Sequence, residues 1–437
     1  MAAAWVTGEP LARQDRLRIP TVIRLGPQPI EPVAWPDRRL VAGGSTTAVW
    51  TTWRELMLAS MSVGRPQAVL KALFPRVAGA ELRVRADSMR TGLASALDGR
   101  SNPAAGPTRW LHWCDPSEKA AVSYRVGMAA AHWAAVNVLG LNTTTHVSLL
   151  ERSDPRRGGD RQADLYGDHP RHAPRPWLVE AKAGLYVVRL EARKSGAEQL
   201  DSAQEAGGWS SSHVQALVSA SLHPVLHVLV ELGLPPGWVA PSGWAPPTGW
   251  EATSRQGWPL SPGFVVPRKN APDQAVPDRD ENPGLDVGAS ERFLARSLLA
   301  AALIDEEPPS TRLAGGGVEA RLLDVPSADM QVGLVESAFT EAVPQVLRAR
   351  AAAETWGVDH FDRILDEALS DRRDAAADTF SALESFSLGT QQSNHVWLVD
   401  TDGSRDGLGA AVDRMGRVVV LGSSWTTGTI PDPASDQ

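Results

Sequence analysis

The chain has 437 residues, 43% of them hydrophobic, and a formal net charge of −8, which suits two or three globular domains and argues against a disordered or nucleic-acid-coating chain. There is no apolar run of about eighteen residues or more, and Met1-Ala-Ala-Ala-Trp5 lacks a basic segment leading into an apolar one, so no membrane helix or signal peptide is expected and the expected location is the cytoplasm. A lone cysteine, Cys114, excludes a disulfide framework and a cysteine-based zinc site.

In chain order, residues 1–114 read as a mixed region. Arg18 to Leu25 is a short strand. Thr51 to Val63 has helical spacing and stops at Gly64, and Pro66 opens a second short helix that Pro75 ends. Residues 115–233 form the next unit. Asp115-Pro116-Ser117-Glu118 is a helix start, with an Asp cap, Pro at the first position and Glu at the third, and the helix is predicted to run to about Leu139 before Gly140. Strands follow at His146–Leu150, Ala163–Tyr166 and Trp177–Ala183, then a helix at Ser195–Ala206 and a strand at Pro224–Leu232.

Residues 234–286 read as a linker rich in Pro, Gly and Trp, with Trp238, Trp244 and Trp250 six residues apart. Residues 287–437 read as a helical, Ala-rich, acidic region that ends in a small β-hairpin. Gln331–Ala353 and Asp359–Phe386 are its best helical stretches, with Pro344 expected to kink or break the first. Asp400 to Asp406 resembles the start of a calcium loop, but the position of the bidentate Glu is Ala411, so a hairpin turn is expected.

Charge is unevenly placed. Residues 281–437 carry 26 acidic and 12 basic residues, a net of −14, which leaves about +6 for residues 1–280. Residues 152–194 alone hold ten basic and six acidic residues. This local balance suits a phosphate-bearing partner there, while the acidic C-terminal region suits a protein partner.

The basic segment also holds the chain's most specific chemistry. Asp164 is separated by fifteen residues from Glu180, which is followed by Ala181 and Lys182. Glu180 and Lys182, two apart on a strand, leave the same face, and a hairpin can bring Asp164 alongside Glu180. Two carboxylates side by side are costly unless a cation offsets them; Mg²⁺, or Mn²⁺, with oxygen ligands does so. The metal would ready a water for attack on a phosphodiester, with Lys182 orienting that water or stabilising the transition state. Lysine is scarce, with only Lys71, Lys119, Lys182, Lys194 and Lys269, so one inside an apolar strand is notable. Arg171 and Arg175, on the connection between the two strands, read as phosphate contacts, and the nearby His169 and His172 as part of that loop. The plain structural alternative is a cross-strand ion-pair network of Asp164, Glu180 and Lys182.

This arrangement resembles the PD-(D/E)xK phosphodiesterase superfamily, the restriction-endonuclease-like fold. The predicted order of helix, three strands, helix and strand over 116–232 is similar to that family's core, an α-β-β-β-α-β mixed sheet, and the match spans about a quarter of the chain. The resemblance implies an α/β fold and Mg²⁺-dependent hydrolysis of DNA, with Asp164 and Glu180 as metal ligands, Lys182 acting on the water and Gln199 on the following helix in support. It also associates the chain with genome defence or repair. Two departures stand out: Ala163 precedes the Asp where the family has Pro, and the first helix offers only Glu118 where many relatives hold a metal-binding Glu, with Glu151 a looser substitute. The competing expectation is a catalytically inactive, nuclease-like or scaffold protein that acts through its acidic C-terminal region.

Overall fold

The computed structural model describes residues 16–32, 47–63, 68–98, 106–147, 163–168, 176–206, 213–235, 287–313, 318–358, 360–370, 391–393, 396–399, 410–413 and 415–422. Strands β1 (Arg16–Pro27) and β2 (Thr47–Thr52) lead into helices α1 (Trp53–Ser62), α2 (Ala68–Ala72) and α3 (Val77–Ala96). A short ribbon, β3 (Leu97–Asp98) and β4 (Gly106–Pro107), precedes α4 (Arg109–Trp113) and α5 (Pro116–Trp133). Then come β5 (Thr144–His146), β6 (Leu165–Asp168), β7 (Pro176–Gly184), α6 (Leu190–Ala206), β8 (Val214–Ser221) and β9 (His227–Leu234). Seven of these strands form a mixed sheet in the order β2-β1-β9-β8-β7-β6-β5. The chain is thus α/β, and β1 and β2 from the N-terminal region extend the same sheet as residues 144–234.

The local reasons are legible. Thr52 caps α1 by accepting from the Glu55 amide at 3.1 Å, while the Glu55 carboxylate accepts from the Thr52 amide at 2.7 Å. Asp115 caps α5 by accepting from the Ser117 and Glu118 amides, with Pro116 at the first helical position, as the sequence predicts. The end of α5 is a π turn at Ala134–Val138, followed by Gly140 at φ +84, the left-handed conformation that favours glycine. The strand expected at His146–Leu150 begins earlier, at Thr144, and residues 148–150 lie outside the described residues. Helix α6 begins five residues before its expected start.

Strand β8 was not expected, and it is the strand that pairs in parallel with β7; the predicted strand at 224–232 is β9, one place further out. All eight residues of β8 are buried although Gln215, Ser219 and Ser221 are polar. Those polar residues alternate with Leu217 on one face and hide the strand's periodicity.

The C-terminal region departs most from expectation. Helix α7 (Val287–Glu306) is followed by β10 (Ser310–Leu313), β11 (Val318–Val325), β12 (Met330–Val335), α8 (Glu336–Trp356), α9 (Phe361–Ala368), β13 (Gln391–Ser393), β14 (Val396–Val399), β15 (Ala410–Asp413) and β16 (Arg417–Leu421). The seven strands form an antiparallel sheet in the order β10-β11-β12-β16-β15-β14-β13, in place of a helical region with a small terminal hairpin. Segments such as Val318–Val325 are built partly of good helix formers, yet pairing on both sides makes them strands, because burial between neighbours outweighs intrinsic preference. Pro344 neither breaks nor ends α8; it sits on the exposed face, where water can serve the freed carbonyl. The predicted linker from residue 236 onward and the Asp400–Asp406 turn lie outside the described residues.

One apolar cluster runs through both sheets, and buried polar contacts accompany it. Arg417, ion-paired with Asp413, donates to the Thr143 hydroxyl at 3.3 Å. Arg350 grips Asp305 through two bonds of 2.8 and 2.9 Å and donates to the Ala72 carbonyl at 3.0 Å.

Candidate active site

Strand β7 lies inside the first sheet with a helix on each face. Val179, Ala181 and Ala183 join the cluster on the α5 side. Leu178 belongs to a second cluster with Tyr166, Leu217 and the α6 residues Ala197, Leu200 and Ala203. By the two-residue period of a strand, Glu180 and Lys182 share the face of Leu178, toward α6. The glycine of α6 at position 196 lets the helix approach: a Cβ there would lie 2.9 Å from Lys182 Cε and 3.2 Å from Glu180 Cγ.

The β6–β7 ladder ends at the pair Leu165–Val179, so Asp164 and Glu180 are the next pair. There the carboxylates replace the backbone ladder. Glu180 Oε2 accepts from the Asp164 amide at 3.1 Å, and Asp164 Oδ2 accepts from the Ala181 amide at 3.0 Å. Lys182 Nζ donates to Glu180 Oε1 and, at 2.6 Å, to Gln199 Oε1. Asp164, Glu180, Lys182 and Gln199 are therefore brought together.

Burial and charge set the state of this group. Burial pushes the Glu180 carboxyl up to about 8, with the neighbouring Asp164 charge adding to the rise and Lys182 opposing it. Burial likewise raises Asp164, against the Ala181 amide and Lys182. The His146 ring hydrogen-bonds the Asp164 backbone, and burial, with Arg85 adding to it, lowers its pKa to about 4, so this ring is neutral.

Other candidates fall elsewhere. Glu118 stays in the first turn of α5, hydrogen-bonded with Cys114. His223 packs against Tyr186 at 5.3 Å between ring centroids, and the His227 ring bonds the Val225 carbonyl at 2.8 Å. Arg171, Arg175, His169, His172 and Glu151 lie outside the described residues. Among the described residues no group of three or more His, Cys, Asp or Glu side chains is arranged to hold a metal ion. The donor set at Asp164 and Glu180 is nonetheless all oxygen, which suits a hard divalent cation. Burial first and the Asp164 charge second raise the Glu180 pKa, and a bound cation would offset both.

Sequence reasoning did not single out two contributors. Gly196 had a usable signal, a lone glycine inside a helical stretch, which marks close packing. Tyr124 on α5 lies in the field of both carboxylates, and nothing in the linear sequence points to it. No protein-family model, curated protein or solved structure matches the chain. Among the described residues no helix is long and apolar enough to cross a membrane.

Proposed function

We propose that the chain is a metal-dependent nuclease that hydrolyses phosphodiester bonds in DNA, built on a restriction-endonuclease-like core at residues 115–233. The observation that carries this reading is the linked set of Asp164, Glu180, Lys182 and Gln199 on adjoining elements. Asp164 and Glu180 would hold Mg²⁺ or Mn²⁺, which when bound supplies a water of lowered pKa and neutralises charge on the phosphoryl oxygens. The ammonium of Lys182, held by the Gln199 amide oxygen, is placed to orient that water or to donate to a phosphoryl oxygen. Gln199 acts through Lys182 and is a positioning residue. Leu178, Leu217, Leu200 and Ala203 pack together on this face, and limiting water beside the group strengthens its charges. A role in defence or repair belongs to the fold association alone.

A second reading has one observation in its favour. Lys182 already closes on Glu180, as it would in an inert ion-paired hairpin of a scaffold protein. Incubating plasmid DNA with the protein and Mg²⁺ or Mn²⁺ separates the two. The nuclease reading expects cleavage by the wild type and a loss of about 100-fold or more in Lys182→Ala and in Asp164→Ala. Equal cleavage by all three proteins, or none with either metal, overturns it.

A further inference from the structure

Strand β8 carries a buried hydroxyl beside the candidate site. Val214, Ala216, Val218 and Ala220 join the main cluster on the α5 side, whereas Leu217 packs toward α6. By the two-residue period of a strand, Ser219 shares the α6 face with Leu217. The parallel register pairs Glu180 with Leu217 and Lys182 with Ser219. Ser219 therefore stands next to Lys182, on the face from which Glu180 and Lys182 leave. It is fully buried, and its hydroxyl has no hydrogen-bond partner among the described residues. A buried hydroxyl left unbonded lowers stability, and a role in the site accounts for its presence.

Lys182 leans toward this strand. Its Cε and the Leu217 Cδ1 crowd the same point, 2.9 and 2.8 Å from where a Gly196 Cβ would lie. Both oxygens of Glu180 are already taken, Oε2 by the Asp164 amide and Oε1 by Lys182 Nζ. The ammonium gives a second bond to Gln199 Oε1, and the Lys182 side chain is only 22% exposed, so water can serve it little.

A divalent cation held by Asp164 and Glu180 repels an ammonium on the same carboxylate. Lys182 must then give up its bond to Glu180. A largely buried ammonium with three N–H groups needs another acceptor in its place. Gln199 keeps one bond, and the unbonded oxygen next to Lys182 on this face is that of Ser219. We propose that Ser219 is a positioning residue whose hydroxyl accepts a hydrogen bond from Lys182 when a divalent cation occupies Asp164 and Glu180. Lys182 is handed from Glu180 to Ser219, stays tied to Gln199, and keeps its third N–H for the attacking water or a phosphoryl oxygen. The inference rests on the metal-dependent reading of the site.

Ser219→Ala removes the hydroxyl and almost no volume. In the metal-free protein it is expected to keep or raise the thermal midpoint, because no bond is lost. Calorimetric titration with Mg²⁺ is expected to give a Kd about fivefold or more above that of the wild type, the worth of one hydrogen bond to a charged group. NMR of carbon-labelled lysine follows the ammonium itself, since the chain has only five lysines and Lys182→Arg identifies the Lys182 signal. That signal is expected to coincide in wild type and Ser219→Ala without metal and to differ between them with Mg²⁺. A lower metal-free midpoint in the variant, an unchanged Kd, or Lys182 signals that coincide with Mg²⁺ present overturns the inference, while Mg²⁺ binding by the wild type keeps the metal site. A wild type that shows neither heat nor a Lys182 shift with Mg²⁺ overturns the metal-dependent reading, and the inference with it.

Discussion

At the scale of single residues, the pairing of Asp164 with Glu180 governs how the protein should respond to pH. The Glu180 carboxyl moves from an ordinary value of 4.5 to about 8 on folding, and Asp164 moves in the same direction. A raised folded pKa gives stability that is complete below the unfolded value and is lost as pH rises through the folded one. The metal-free protein should therefore lose stability between about pH 4.5 and 8, measured as a falling thermal midpoint, and Glu180→Gln should flatten that slope. A wild-type midpoint that rises across this range, or an equal slope in the variant, contradicts the assignment. Because protons and cations compete for the same oxygens, Mg²⁺ should stabilise the wild type more at the alkaline end of this window. Much of this chemistry is legible in the sequence. The alternation of Val179, Glu180, Ala181 and Lys182 sets the face, and the fifteen-residue gap allows the hairpin. The reciprocal amide contacts of the two carboxylates are not legible, since they depend on where the ladder stops.

At the scale of elements, the two helices flanking β7 both reach it through a glycine, Gly127 on α5 and Gly196 on α6. Replacing Gly127 by Ala gains about 1 kcal/mol of helix propensity. It also sets two Cβ atoms 2.5 Å apart between rigid elements. Overpacking of this kind costs about 1–3 kcal/mol, so Gly127→Ala should lower the urea midpoint, and adding Ala183→Gly should recover most of the loss. An additive double variant would show that the two positions do not meet. Sequence signals located α5 well because Asp115-Pro116 and Gly140 are chemical punctuation. They failed at β8, where buried Gln215, Ser219 and Ser221 resemble a loop, at β11, where Ala, Arg and Leu suit a helix until neighbouring strands claim them, and at β12, whose Gln331–Val335 was read as the start of a helix. They also passed over α3, twenty residues with no side-chain cap bond at its start.

At the scale of the whole molecule, the two sheets share a continuous apolar core, so they should unfold together. The pair Arg350–Asp305 joins α8 to α7, and each partner also reaches the α2 region, through the Ala72 carbonyl and the Arg76 amide. Both side chains are buried. Asp305→Ala would leave the Arg350 charge buried without this carboxylate, at a cost of about 3–5 kcal/mol. The expected result is one cooperative urea transition at a lower midpoint, and a second transition confined to either sheet would show that they fold apart. The overall α/β class and the strand-rich end near residues 396–421 are readable from the sequence, whereas the joining of β1 to β9 across some two hundred residues is not.

The place of β16 has a consequence for how the chain comes into being. Residues 417–421 are the last strand among the described residues, yet they sit between β12 and β15, in the middle of the second sheet. During synthesis, at roughly 5–20 residues per second, β12 leaves the ribosome with one side unpaired and waits for about eighty further residues before its neighbour arrives. An unpaired strand edge is a template for association with other chains. Termination a few dozen residues early would make that waiting permanent and leave the sheet split in two, so nascent and truncated chains should be the species that depend most on chaperones.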